Sequence, residues 1–145
     1  AAPSDCQAWN AAVEAASQDN FASARGEKIA PYTYKSKLTF REYSCQITVT
    51  NGTLMVCSRW FLSEAMGRKA YADAATQMSS CLSGWTSQAF DPMMRVPPLA
   101  GQRLGKLVGG VSLSAGVILL GPTKYGSTEH LLALTVSGGV AKRLS

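Results

Sequence analysis

Polar and apolar residues alternate most regularly from Cys45 to Trp60, CQITVTNGTLMVCSRW, and the alternation folds back at Asn51-Gly52. Asn-Gly supplies the positive φ angles of a two-residue type I′ turn, and β-branched residues flank it, so the stretch predicts a β-hairpin. In that register Val49 faces Leu54 and Ile47 faces Val56. Ile47, Val49, Leu54 and Val56 then share one face, which is expected to point into a core.

Other periods predict the remaining elements. Ser4-Asp5-Cys6-Gln7 has the form of a capping box, and Cys6, Trp9, Val13 and Ala16 follow at helical spacing, so a first helix runs to about Gln18-Asp19-Asn20. Phe21 to Pro31 reads as connection. Tyr32, Tyr34, Leu38 and Phe40 alternate with polar residues and predict a strand beside the hairpin. After the hairpin, Leu62, Met66, Ala70, Ala74, Met78, Cys81 and Trp85 recur every three or four residues. Ser63 there offers an N-cap and Glu64 an acid in the first turn, which predicts a second helix ending at Gly84. Gly67 weakens that helix by about 1 kcal/mol relative to Ala.

Pro92, Pro97 and Pro98 make the segment from Thr86 to Lys106 read as irregular and partly polyproline. Leu107 to Leu120 reads as one strand, and His130 to Val136 as a closing strand. The predicted order is α-β-β-β-α-β-β. That is an α+β fold, an antiparallel sheet of about five strands with two helices on one face. At 145 residues, 1–145 is expected to form a single domain.

Composition then narrows the class. A hydrophobic fraction of 46% with 16% charged residues excludes a disordered chain. The run from Leu107 to Thr123 carries too many glycines and serines to be a membrane span. The small residues AAPSDC at the start are what a signal peptidase leaves, so a secreted or periplasmic location is expected. Cys6, Cys45, Cys57 and Cys81 are even in number and lack metal-ligand spacing, which favours two disulfides and no metal. Cys45 and Cys57 lie at the same end of the hairpin, one residue out of opposition for a two-residue loop, and a bulge or three-residue turn would bring them opposite. The expected pairs are Cys45 with Cys57 and Cys6 with Cys81.

Candidate chemistry is sparse. Gly121 to Thr128, GPTKYGST, follows an apolar run like a phosphate-binding loop, but Ser127 stands where that loop needs Lys, so no nucleotide or other cofactor is expected. His130 is the only histidine. Together with Ser127 and Glu129 it forms the one constellation a small hydrolase could use, but adjacency on a strand does not place a nucleophile against a base. Catalysis is therefore disfavoured. Asn51-Gly52-Thr53 is also a glycosylation sequon. Nucleic acid is disfavoured too, because only Tyr32, Tyr34, Lys35 and Lys37 interleave aromatic and basic side chains.

The net charge is +5, and no acid occurs from Pro92 to Thr128, which leaves a binder of an anionic envelope polymer or lipid as one alternative. The leading expectation is a protein partner. Met93 and Met94 sit beside Arg95 in a segment without a register to bury them, with Arg103 and Lys106 following, and Met and Arg are enriched at interfaces. The sequence thus points to a small exported, disulfide-containing binding protein, an inhibitor, immunity factor or envelope adaptor.

Overall fold

The computed structural model describes residues 3–50, 52–88, 98–108, 110–122 and 125–138, with the side chains of residues 3–5 excepted. The Ser4 cap, Asn51, Met93, Met94 and Arg95 therefore lie outside the described groups. Helix α1 spans Pro3–Asp19 and a short 3-10 turn follows at Ala22–Ala24. The first strands are β1 (Arg25–Ala30), β2 (Thr33–Ser36), β3 (Ser44–Val49) and β4 (Thr53–Phe61). Helix α2 (Glu64–Cys81) separates them from β5 (Thr86–Gln88), β6 (Ala100–Val108), β7 (Val111–Leu120) and β8 (His130–Gly138).

The α+β class stands, but the sheet has eight antiparallel strands rather than about five, in the order β1-β2-β3-β4-β8-β7-β6-β5. The chain order is accordingly one helix and four strands, twice over. Each set of four is a meander, and the two meanders join where β4 pairs β8 from Phe61↔His130 to Thr53↔Gly138.

The additional strands have physical reasons for their silence. Every residue of β1 is partly or fully exposed, so no inward face imposes an alternation. β5 is three exposed residues held by backbone pairing to β6. β6 buries Leu104 and Gly105 and follows directly on prolines, while the single strand expected from Leu107 to Leu120 is split by a tight turn closed by Val108↔Val111, with Gly110 at φ 82°. Conversely, Leu38 and Phe40 leave the sheet after β2. Phe40 instead meets Trp9 edge-on, with ring centroids 5.0 Å apart.

The hairpin is present in a different register. Val49 pairs with Thr53, so three residues rather than two form the loop, and Cys45 stands directly opposite Cys57. The one-residue shift sends Thr53, Met55 and Cys57 inward with Ile47, and leaves Leu54 and Val56 on the other face.

Two disulfides are present, Cys45–Cys57 within the hairpin and Cys6–Cys81 between the start of α1 and the end of α2. Ser63 caps α2, its Oγ accepting the Met66 N–H at 3.2 Å, and the helix ends at Cys81, where Leu82 N–H reaches the Met78 carbonyl. Both helices lie on one face of the sheet. Gly67 of α2 abuts Leu119 and His130, while Ala16 of α1 abuts Gly138. Between helices and sheet lie Trp9, Phe21, Met55, Met78, Leu113, Leu119 and Leu132, all essentially inaccessible. Among the described residues no helix is long and apolar enough to cross a membrane.

Candidate functional site

A polar concavity runs between α2 and the end of β4. Arg59 is an inward-facing position on β4, but it sits at the flank of α2 and keeps its guanidinium in solvent contact. It lies 4.8 Å from the Phe61 ring centroid and 5.9 Å from that of Tyr43, and its Nη1 is 3.2 Å from Glu42 Oε1. Two aromatic faces and one carboxylate therefore fix an arginine that would otherwise sample many rotamers. At such exposure each contact is worth about 1 kcal/mol or less, so the arrangement positions a charge more than it stabilises the fold.

Two hollows meet at this arginine. One, of about 260 Å³, is lined by Arg59, Phe61, Met66, Lys69, Ala70 and Asp73. The other, of about 340 Å³, continues past Ala74 and Gln77 to Arg41, Glu42 and Tyr43. Arg59, Ala70 and Asp73 line both, which makes them one groove along the flank of α2. The small side chains of Ala70 and Ala74 leave the space, one helical turn apart. Met66, in the lining, is 58% exposed, and Leu62, just before the Ser63 cap, is 69% exposed. Fully exposed Tyr125 belongs to the β7–β8 connection, which meets β4 at this end through the pair Phe61↔His130. Large apolar side chains beside charged groups form the pattern of an interface anchor with a polar rim. Exposed apolar residues at the opposite end, Ile29, Tyr32, Leu54 and Leu107, are strung out from the β1 side to β6.

The residues expected from sequence are distributed otherwise. Arg103 pairs with Gly116 and reaches Ser114 Oγ at 3.5 Å on the face away from the helices, whereas Lys106, three residues on, occupies the helix side of β6. They do not share a surface. Gln88 and Leu99, which flank the segment holding Met93, Met94 and Arg95, are both at the Leu119 end of the sheet. Ser127 Oγ accepts the Glu129 N–H at 3.1 Å, and buried His130 turns Nδ1 to the Thr128 carbonyl at 2.8 Å, to which it donates. Among the described residues no hydrogen bond links Ser127 or Glu129 to the imidazole, and no group of three or more His, Cys, Asp or Glu could hold a metal ion. Gly121 to Glu129 connects two antiparallel strands.

No family model matches the chain, and no curated protein or solved structure matches it either.

Proposed function

We propose that this chain is a small exported binding protein that acts by protein–protein contact, without catalysis of its own, and that the groove along α2 is its contact surface. The observation that carries this is the continuity of the groove. Exposed Met66 opens onto Phe61, and Arg59 and Asp73 follow at its centre. A partner would insert an apolar side chain against Phe61 and Met66 and place a polar neighbour between the guanidinium and the carboxylate. Such a pairing gives both the buried anchor and the charge pattern that selects a partner. Two disulfides fit an extracellular or periplasmic setting, where thiols do not stay reduced. Met93 and Met94 enter the same proposal as further contacts.

The test uses the oxidised chain as bait in the native envelope or secreted fraction. Met66→Ser and Asp73→Lys change exposed side chains and should leave the melting temperature in place while weakening capture of the partner, each by about 1 to 2 kcal/mol. Met93→Ser with Met94→Ser should weaken it similarly. Capture that survives all of these changes overturns the groove as the contact surface.

A further inference from the structure

The face of the sheet away from the helices has no layer on it among the described residues, yet its residues are not those of a solvated face. An antiparallel sheet open to water on one side alternates apolar with strongly polar residues, whereas strands covered on both sides read as continuous apolar runs. β7 ends Val117-Ile118-Leu119-Leu120, and β8 contains Leu131-Leu132-Ala133-Leu134. The register puts Leu119, Leu132 and Leu134 under the helices, and Ile118, Leu120 and Leu131 on the open side. Trp60 pairs with Leu131 on that same side and is 61% exposed.

Across β3, β4, β8, β7 and β6 this face carries one charge, Arg103, whose guanidinium is turned toward Ser114. The other positions are Trp, Ile, Leu, Val, Gly, Ala, Ser, Thr or Gln. Even the central hydroxyls are used internally, Ser114 Oγ lying 3.0 Å from Ser137 Oγ on the neighbouring strand. Over these five strands, with no acid and a single cation, a foreign partner finds no charge pattern to recognise, and the next charge on this side, Lys35 of β2, is paired with Glu27 at 3.7 Å. The face suits a copy of itself, because next to the two-fold axis of an isologous contact each residue meets its own copy, where a charge would face itself, and the open-side residues of the middle strand, Leu131, Ala133, Thr135 and Ser137 of β8, are all uncharged.

The size agrees. Five strands about 4.8 Å apart and about eight residues long cover roughly 650 Å², close to the roughly 800 Å² per partner of a stable interface. The small side chains at Gly101, Gly116 and Ala133 keep the relief of the central strands low enough for two sheets to close to about 10 Å, while Gln88 lies over Gly105 at the β5 margin. We propose that the open face of the sheet is the interface of a symmetric dimer, in which two copies of this chain pack sheet against sheet and bury Trp60.

Sedimentation of the oxidised full chain between about 1 and 100 µM tests this. The wild type should sediment at twice the chain mass at the upper concentration. Its tryptophan emission should shift to the red on dilution, a shift absent in Trp60→Phe. Ile118→Lys and Ser114→Lys, each adding a charge to the middle of the face, should yield monomers with helix and sheet content unchanged, whereas Met66→Ser in the groove along α2 should leave the dimer intact. A wild type that stays monomeric throughout the range overturns the proposal. So does a dimer that survives both lysine variants or is lost in Met66→Ser, since its interface would lie elsewhere. The wild-type measurement decides even if a lysine variant fails to fold.

Discussion

A methyl group on Gly138 would lie 2.8 Å from the carbonyl oxygen of Ala16, so the last turn of α1 rests on the backbone at the end of β8. Neither side of that contact is a flexible side chain. Gly138→Ala must therefore lift the helix or bend the strand, and we expect it to cost about 1 to 3 kcal/mol in urea unfolding. An unchanged midpoint would show that α1 is free to shift.

Gly67 makes the gentler version of the same contact. A Cβ there would meet Leu119 Cδ1 at 3.1 Å and His130 Cβ at 3.5 Å. The helix gains about 1 kcal/mol from Ala over Gly, and the push on fully buried Leu119 offsets it. Gly67→Ala should thus change stability by less than about 1 kcal/mol, and Gly67→Val should cost about 2 to 3 kcal/mol, because its added branch has only packed side chains to enter. Thermal unfolding of the pair of variants separates the two terms.

The disulfides should differ in weight. Cys6–Cys81 closes a sequence separation of 75 and Cys45–Cys57 one of 12. By loop-closure entropy, replacing both cysteines with Ser should cost about 4.5 kcal/mol for the long bridge and about 3 kcal/mol for the short one. Denaturant titration of the two double variants checks the order. Equal losses would mean that the unfolded chain keeps the helices together.

Tyr71 on α2 is half-buried, and burial pushes its phenol above the ordinary value of 10.0. The folded state thus holds that proton more tightly than the unfolded state. Its contribution is complete below the unfolded pKa and is lost as pH rises through the folded one. The wild type should lose stability above about pH 10 more steeply than Tyr71→Phe. Melting temperatures of the two proteins on either side of that pH read the difference, and parallel slopes would contradict it.

How far the sequence carried depended on whether one element decided the matter alone. α2 was legible because its cap, first-turn acid and apolar stripe sit within the element, and Ser63 does cap it. The hairpin was legible, but not its register: Asn51-Gly52 suits a two-residue loop and also a three-residue loop with a residue at positive φ. What distinguishes them is pairing at the far end, where Cys45 stands opposite Cys57. β1, β5 and β6 went unseen because they lie at or next to the sheet's edges and have little to bury. Tyr34 and Phe40 gave a false continuity, since Phe40 is apolar for the sake of Trp9 and not for a strand. The groove had no sequence signature, for Arg59 and Asp73 belong to different elements and each looks like an ordinary surface charge.

The bridge from Cys6 to Cys81 makes a covalent ring of α1, β1 to β4 and α2, while β5 to β8 hang outside it. A protease that cuts the exposed β1–β2 turn at Tyr32 severs the backbone without releasing a fragment. A cut in the loop between β3 and β4 leaves the pieces joined by two bridges, since Cys45–Cys57 also spans that loop. In a protease-rich exterior the first half of the chain can thus be nicked and remain one molecule. The damage shows only on a reducing gel, and the later four strands, lacking any such tie, are where a single cut can release a piece.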